Sequence, residues 1–325
     1  MNKNCAIQKM NRLGEKKIPF FFLSSFHQDE NMVLTLEEVK EAGIYFHINQ
    51  LHTVNPTQVS PFQKNFQFEK TPVGKTDYKQ KFEAIQQELH YGNSYLLNLT
   101  QPTTIKTHLT LMDIYNQSQA DYKLLIPNKL VVFSPETFVK TQGNTIRSFP
   151  MKGTIDAQVE NAREKILNNQ KEIAEHYTIV DLIRNDLSII SKNVRVERFR
   201  YISKIRTHKN TLLQVSSEIV GDIDAQFFKE LGTRFFQLLP AGSISGAPKE
   251  KTVEIIDAVE GYDRGFYTGV FGFFDGERLD SGVMIRYIEQ HNGQMIFKSG
   301  GGITIHSNME DEYQELIDKV YVPIN

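Results

Sequence analysis

The stretch at residues 240–274 reads PAGSISGAPKEKTVEIIDAVEGYDRGFYTGVFGFF and divides into a loop, a helix and a strand. The loop at 240–247 is built from small residues, Pro248 begins the helix, Gly261 is placed to end it, and 267–274 is a strand. The apolar face of the helix carries Val253, Ile255, Ile256 and Val259. A loop of Gly, Ser and Ala before a helix start is typical of an anion site, because backbone N–H groups stay exposed there. It is equally typical of a tight packing turn.

The composition is that of a soluble globular protein. The chain has 325 residues, of which 40% are hydrophobic and 23% are charged, which is enough for a substantial core. The net charge of −2 argues against a nucleic-acid surface, so an anionic ligand needs a local cluster of positive charge. Cys5 is the sole cysteine, near an end that we expect to be poorly ordered. Disulfides are excluded, and with no membrane-spanning run and no signal peptide we expect a cytoplasmic protein.

Short apolar runs separated by turns fill most of the remaining chain. Strands are predicted at 20–23, 43–46, 95–99, 123–126, 130–133, 138–141, 145–149, 194–199, 216–220, 279–287 and 295–298. Helices are predicted from a cap at Thr76 to Gly92, and at 109–119, 157–187, 225–238 and 310–320. Residues 55–74 read as a polar connector. Runs of strands and helices without βαβ alternation predict an α+β fold with largely antiparallel sheets.

Two pairs of acids could form a metal site. Glu172 and Glu175 are three residues apart on a predicted helix, and Glu312 and Glu315 repeat that spacing on the last helix. If the two helices face each other, their carboxylates make an oxygen-rich site that suits Mg²⁺ bridged to an anionic substrate. From spacing alone, solvated helix faces explain the pattern better.

A lysine stands on a tight loop in the sequence FPMKGT. Lys152 is flanked by Pro150 and Gly153, between a predicted strand and a predicted helix. Partial burial would lower its pKa and make the amine a nucleophile or a base. An ordinary surface lysine is the alternative.

Other polar features have structural and functional interpretations. Arg286 lies in a predicted apolar strand, where it needs an internal acid or a ligand carboxylate as partner. The glycines at 300–302 break the last strand pair and could offer N–H groups to a carboxylate, or form a bulge. A further polar cluster favours an ion-paired helix end over catalysis; it comprises Asp181, Arg184, Asn185 and Asp186.

Seven blocks, in order, resemble the chorismate-utilising enzymes. That family includes anthranilate synthase component I, aminodeoxychorismate synthase component I, isochorismate synthase and salicylate synthase. The blocks are GNSYLLNLT from Gly92, SFPMKGT from Ser148, KEIAEHYTIVDLIRNDL from Lys171, PAGSISGAPKEKTVEIIDAVEG from Pro240, YTGVFGFF from Tyr267, MIRY from Met284 and GGGITIHSNMEDEYQELIDK from Gly300. The resemblance covers residues 76–325 and implies two antiparallel sheets packed face to face, with outer helices and the active site between subdomains. Residues 76–325 would be the catalytic domain, and residues 1–75 a short N-terminal part of the same fold.

The resemblance implies roles for the residues singled out above. Glu175 and Glu315 match the family's Mg²⁺ ligands, with Glu172 and Glu312 as water-mediated supports. The positions matching those that hold the substrate carboxylates are Tyr267, Arg286, Gly300, Gly302 and Lys319. Ser243 and Gly246 then belong to one wall of a chorismate pocket, next to the strand that carries Tyr267.

The PMKGT block separates the members of the family. Anthranilate and isochorismate synthases resemble P-x-A-G-T here, whereas aminodeoxychorismate synthases carry a lysine. The resemblance implies that Lys152 attacks chorismate at C2 as the C4 hydroxyl leaves, after which ammonia adds at C4 and expels the lysine. Mg²⁺ would neutralise the ring carboxylate. The product, 4-amino-4-deoxychorismate, feeds 4-aminobenzoate and folate synthesis.

Two departures from the family pattern bear on this assignment. Leu96 occupies a position where members place Gln or Lys, and a leucine cannot activate water, which argues against isochorismate or salicylate formation. Residues 212–214 read Leu-Leu-Gln where a histidine associated with pyruvate elimination often stands.

The chain has a short N-terminal region and no glutaminase signature. A tryptophan-binding regulatory site is therefore not expected, and ammonia must come from a separate glutamine amidotransferase subunit or from solution. Anthranilate synthase component I is the alternative within the family. A subunit that binds chorismate, turns over weakly and activates an amidotransferase is the other alternative.

Overall fold

The computed structural model describes residues 1–56, 67–206 and 211–322. The helices are α1 (Lys3–Glu15), α2 (Leu36–Glu41), α3 (Lys75–His90), α4 (Leu111–Gln117), α5 (Ala162–Asn168), α6 (Gln170–Ile190), α7 (Leu231–Gln237), α8 (Lys249–Glu260) and α9 (Met309–Asp318). The strands are β1 (Phe20–Ser24), β2 (Asn31–Thr35), β3 (Tyr45–Ile48), β4 (His52–Val54), β5 (Phe68–Thr71), β6 (Leu96–Thr107), β7 (Tyr122–Ile126), β8 (Leu130–Ser134), β9 (Thr137–Gln142), β10 (Thr145–Ser148), β11 (Met151–Asp156), β12 (Lys192–Arg206), β13 (Thr211–Asp222), β14 (Gly246–Ala247), β15 (Val270–Phe274), β16 (Leu279–Val283), β17 (Tyr287–His291) and β18 (Gln294–Ile303).

The strands form two antiparallel sheets, which confirms the predicted fold class. The first sheet has the order β11-β13-β10-β9-β16-β15-β1-β2, with β12 also paired to β13. The second has the order β14-β6-β18-β17-β8-β7-β3-β4, with β5 also paired to β6. Strands from the N-terminal region take part in both sheets. None of the helices among the described residues is long and apolar enough to span a membrane.

The two sheets pack against each other through aromatic side chains. The run FFFLS of β1 is buried along its whole length. Successive side chains point to opposite faces of the strand, and both faces are covered by other parts of the fold. The ring of Phe21 stacks on Phe46 of the second sheet at 4.9 Å. The ring of Phe22 meets Phe235 of α7 edge-on at 4.9 Å. Each fully buried side chain of this kind contributes about 1.5–3 kcal/mol to folding.

The N-terminal residues form a helix that the sequence reading missed. Asn2 caps α1 by accepting a hydrogen bond from the backbone N–H of Cys5 at 2.9 Å. Ala6, Met10 and Leu13 are buried at helical spacing, so the expectation of a poorly ordered end is wrong. Part of the predicted connector at 55–74 is strand β5, and residues 57–66 lie outside the described part of the chain.

Three further predictions are wrong in ways that matter for the site. The predicted helix at 157–187 is a turn at 157–161 followed by helix α5 and helix α6, and Asn169 separates the two helices with a ψ of 112°. The predicted strand at 279–287 is β16 and β17, which belong to different sheets. Arg286 lies at the crossover between them with a φ of 54°. The glycines at 300–302 continue strand β18, paired with β6, instead of interrupting it.

Candidate active site

A cavity of about 730 Å³ gathers the residues that the sequence singled out. Its walls come from β6, β11, β18, the residues before β14, and the helices α6 and α9. The predicted site residues that line it are Lys152, Glu172, Glu175, Ser243, Gly246, Tyr267, Arg286, Gly300, Gly302, Glu312, Glu315 and Lys319. The fold therefore brings the whole predicted set to one place.

Glycines on β18 allow charged side chains to approach the strand closely. A Cβ on Gly301 would lie 3.4 Å from Glu312 Oε2 and 3.5 Å from Glu315 Oε1. A Cβ on Gly302 would lie 3.9 Å from Lys152 Nζ. The carboxylates of α9 therefore approach β18 at Gly301, and the amine of β11 approaches it at Gly302.

Lys152 forms an ion pair with an acid of α6. Its Nζ lies 2.5 Å from Glu175 Oε2, and the two side chains are 30% and 6% exposed. Burial lowers the pKa of Lys152, but the carboxylates of Glu175, Glu172 and Glu315 together raise it above its ordinary value. The prediction that burial would lower this pKa is therefore wrong for this arrangement, and the resting amine is protonated.

A second lysine and an arginine complete a cluster of positive charge. Lys319 Nζ lies 2.6 Å from Glu315 Oε1 and donates to the carbonyl of Gly300 at 2.7 Å. Burial lowers the pKa of Lys319, and Arg286 and Lys152 lower it further, while Glu315 opposes them. In a chain with a net charge of −2, these three cations are the charges with which an anionic ligand can pair, although more acids than cations line the cavity.

The carboxylates suit a hard cation that is shared with a ligand. Asn169 caps α6 by accepting a hydrogen bond from the Glu172 backbone N–H at 3.2 Å, so Glu172 and Glu175 lie in the first two turns of the helix. A Cβ on Gly153 would lie 3.0 Å from Glu172 Oε2, so the glycine is needed beside this acid. Within the described ranges, no three acids, histidines or cysteines cluster closely enough to hold a metal alone. Mg²⁺ fits such a donor set because it takes one or two carboxylates, keeps waters and bridges to an anionic substrate.

The small-residue loop is a tight packing turn that also lines the cavity. Gly246 has a φ of 140°, and a Cβ there would lie 1.9 Å from the carbonyl oxygen of Leu96. A Cβ on Gly242 would lie 2.8 Å from Asp186 Oδ2. The packing interpretation of this loop is confirmed at these two glycines, where side chains would collide with α6 and β6, and the anion-site interpretation stays a prediction.

The polar cluster of α6 is ion-paired, as predicted. Arg184 Nη1 lies 3.2 Å from Asp181 Oδ1 on the exposed face of the helix. Asp186 Oδ1 lies 2.8 Å from Lys249 Nζ at the start of α8. The second pair connects α6 to the start of α8 and also to the end of α7, since Lys249 donates to the carbonyl of Leu238 at 2.9 Å.

Glu136 is a cavity residue that the sequence reading missed. It lies between β8 and β9 and lines the cavity. Its Oε1 accepts a hydrogen bond from Ser243 Oγ at 2.6 Å. Burial raises the pKa of Glu136, although Ser243, Arg286 and Lys319 act in the opposite direction. An acid in a turn between two predicted strands gives no sequence signal that separates it from an ordinary turn residue.

The fold and the site define a chorismate-binding enzyme. The chain belongs to the chorismate binding enzyme family, whose model matches residues 9–325. The match extends the resemblance noted for residues 76–325 through nearly the whole chain.

Relatives within this family have been described under several names. An uncharacterised PabA-like protein of Pasteurella multocida is 51% identical over 100% of this chain and 100% of its own length. Anthranilate synthase component 1 of Archaeoglobus fulgidus is 31% identical over 74% of this chain and 61% of its own. Aminodeoxychorismate synthase component 1 of Bacillus subtilis is 30% identical over 77% of this chain and 55% of its own. The chain thus spans less than two thirds of these two enzymes.

The solved structure of MenF, the menaquinone-specific isochorismate synthase from Escherichia coli, has the same fold. Its TM-score is 0.73 at 15% identity, over 98% of this chain and 81% of MenF. At this identity the likeness concerns the fold alone.

Proposed function

We propose that this protein is the chorismate-aminating component of an aminodeoxychorismate synthase. It would convert chorismate and ammonia into 4-amino-4-deoxychorismate in a Mg²⁺-dependent reaction, for 4-aminobenzoate and folate synthesis. The observation that carries the proposal is the primary amine of Lys152 in the cavity, 2.5 Å from Glu175 Oε2. Leu96, in the same cavity, offers no group that could activate water instead.

Substrate binding in this proposal uses the positive cluster and the glycines of β18. Arg286 and Lys319 face the two carboxylates of chorismate, and Tyr267, Gly300 and Gly302 complete the wall around them. Arg286 is held at the crossover with its Nε 3.4 Å from the Tyr321 hydroxyl. Fixed cations orient a dianionic ring before any bond changes, which lowers the entropic cost of reaching the transition state.

The chemical step in this proposal needs a nucleophile and an acid. Lys152 gives up its proton to solvent once its ion pair with Glu175 is broken, and attacks C2 of chorismate. Glu136, whose pKa is raised by burial above that of an ordinary glutamate, protonates the departing C4 hydroxyl, which leaves as water. Ammonia then adds at C4 and Lys152 leaves C2 as the double bonds return. Magnesium held by Glu175 and Glu315, with Glu172 and Glu312 through water, would neutralise the ring carboxylate and polarise the system.

The ammonia source in this proposal is a glutamine amidotransferase subunit. Cys5 is the sole cysteine and lies exposed on α1, away from the residues that line the cavity. A thiol at that position cannot hydrolyse glutamine beside the bound chorismate. Ammonium salts should therefore replace the partner in a reaction with the isolated chain.

Anthranilate synthesis is the second candidate, because a relative named anthranilate synthase component 1 is 31% identical to this chain. That reaction releases pyruvate, whereas 4-amino-4-deoxychorismate retains the enolpyruvyl group. Gln214 lines the cavity in the segment where the family often places a histidine, which favours retention.

A pyruvate assay separates these functions. The protein is incubated with chorismate, Mg²⁺ and ammonium, and pyruvate is followed by coupling to lactate dehydrogenase while chorismate consumption is measured by chromatography. Our proposal predicts that chorismate disappears without equivalent pyruvate. Stoichiometric pyruvate would identify an anthranilate synthase. No consumption, with chorismate binding intact, would identify the weakly catalytic amidotransferase-binding subunit.

A further inference from the structure

Strand β6 presents one polar side chain to the cavity that none of the roles above uses. Leu96 and Asn98 both line the cavity, whereas Leu97 and Leu99 are fully buried in the core. This is the alternation of a strand with one face on a core and the other on a site. Asn98 therefore stands on the cavity face, two residues beyond Leu96.

The carboxamide of Asn98 has an unused acceptor. Its Oδ1 is buried and accepts no hydrogen bond from the described residues. Buried polar atoms in proteins nearly always have partners, so an unpaired acceptor that faces a cavity calls for a partner there, such as a ligand or a water. A carbonyl oxygen binds hydrogen-bond donors or cations, which excludes the carboxylates of an anionic ligand as its partner.

The backbone of Asn98 is fixed from two sides. Its N–H donates to the carbonyl of Ser245 at 3.0 Å, and its carbonyl accepts a hydrogen bond from Arg264 Nη2 at 2.7 Å. Opposite Asn98 on β18 is Gly302, above which lies the amine of Lys152. The carboxamide therefore has a fixed position on the same side of the cavity as the amine.

A fully buried ion pair holds this arrangement. Arg264 and Glu260 have side chains that are each 1% exposed, and Arg264 Nη2 lies 2.7 Å from Glu260 Oε1. Arg264 Nη1 also donates to the carbonyl of Ile244 in the small-residue loop at 3.0 Å. Glu260 Oε1 accepts the backbone N–H of Thr100 at 2.7 Å. The pair therefore connects β6 to the small-residue loop that lies beside it.

We propose that Asn98 is a ligand-binding residue that accepts a hydrogen bond from a donor group of the reactants, and that Arg264 is the positioning residue that holds it. The donor is a hydroxyl of the bound ring or an N–H of ammonia, since both reactants of the proposed function carry such groups. This inference rests on the proposed function for the identity of the reactants.

The test compares Asn98→Leu, which removes the acceptor at similar volume, with Thr103→Val. Thr103 Oγ1 is also buried without a hydrogen bond from the described residues, but Thr103 does not line the cavity. For each variant, KM is measured for chorismate and for ammonium separately, and chorismate affinity is measured by calorimetry with Mg²⁺.

We expect Asn98→Leu either to weaken the affinity for chorismate or to raise the KM for ammonium, in either case at least tenfold. We expect Thr103→Val to change neither quantity. A weaker chorismate affinity identifies the ring hydroxyl as the donor, and a raised KM for ammonium alone identifies ammonia. If neither arm changes by more than twofold, the inference is overturned. If the unaltered protein does not aminate chorismate, the proposed function fails, and the calorimetric arm alone then decides the role of Asn98.

The positioning role of Arg264 is tested by non-additivity. Arg264→Lys keeps the charge beside Glu260 but cannot also reach the carbonyl of Asn98 and that of Ile244. We expect it to lower kcat/KM at least tenfold in the unaltered protein and by less than threefold in the Asn98→Leu background, because the two act on one contact. Equal losses of kcat/KM in both backgrounds would show that Arg264 acts only by stabilising the fold. A circular-dichroism melt of each variant is the control that it is folded.

Discussion

Lys152 Nζ lies 2.5 Å from Glu175 Oε2 and connects strand β11 to helix α6. In our account the lysine is the nucleophile and the glutamate is a magnesium ligand, so the two roles meet in one contact. The ion pair keeps the amine protonated, so Lys152 can attack chorismate only after the pair is broken and the proton is lost. In our account, the reactivity of the Lys152 amine therefore depends on whether Mg²⁺ is bound by Glu175 and Glu315.

Replacing Lys152 should abolish amination without unfolding the protein. Lys152→Ala removes the nucleophile, and we expect kcat to fall by about three orders of magnitude or more, as when a covalent catalyst is deleted. Lys152→Arg keeps a cation beside Glu175 but offers no usable lone pair, so it should be equally inactive. Steady-state rates with ammonium measure both. An active Lys152→Arg enzyme would reduce the lysine to an electrostatic role.

The acids of α9 should control the dependence on magnesium. Glu315→Gln removes a proposed ligand, and we expect the Mg²⁺ concentration for half-maximal activity to rise at least about tenfold. Glu310→Gln is the matched control, because Glu310 lies on the same helix but pairs with Lys75 at 3.5 Å and is exposed. A metal titration of activity compares the two. Identical curves for both variants would contradict the ligand assignment.

Glu136 should produce a pH limb that disappears on mutation. Burial raises the pKa of Glu136, so its acid form persists to higher pH than that of an ordinary glutamate, and activity falls as pH rises through that pKa. Glu136→Gln should lower kcat by about 10²–10⁴-fold and remove this limb. The pH dependence of kcat in both proteins checks this. An unchanged profile in the variant would assign the limb to another group.

Much of the site could be predicted from the sequence, but its assembly could not. The spacing of Glu172 and Glu175 predicts a shared helix face, yet nothing local shows that α6 and α9 line one cavity. The break at Asn169 has no decisive sequence signal, because the polar run at 168–172 can equally be an exposed turn of one continuous helix. The direction in which the pKa of Lys152 shifts depends on carboxylates that are distant in sequence, so an argument from burial alone predicts the wrong direction.

Arg286 illustrates a second kind of limit. The run of residues 279–287 reads as one apolar strand, because both halves are buried, each in a different sheet. Only the left-handed φ of 54° at Arg286 reveals the crossover that directs this residue into the cavity. Single-strand periodicity contains no information about such a change of sheet.

Lys123 should make stability depend on pH in the alkaline range. Burial lowers the pKa of Lys123 to about 8 from 10.5, while its Nζ donates to the carbonyl of Ser118 at 2.9 Å. Between these values the unfolded state binds more protons, so stability rises with pH, by about 2–3 kcal/mol in all. Lys123→Met should flatten this rise, and the exposed Lys129→Met should not. Urea unfolding across the range measures both, and parallel curves for Lys123→Met and the unaltered protein would contradict the prediction.

The most direct test of the central claim is the identity of the nitrogen-containing product. The protein is incubated with chorismate, Mg²⁺ and ¹⁵N-labelled ammonium, and the products are separated and weighed by mass spectrometry. Our account predicts one labelled product that retains the enolpyruvyl group, with the mass of 4-amino-4-deoxychorismate. Labelled anthranilate, which lacks that group, would contradict it.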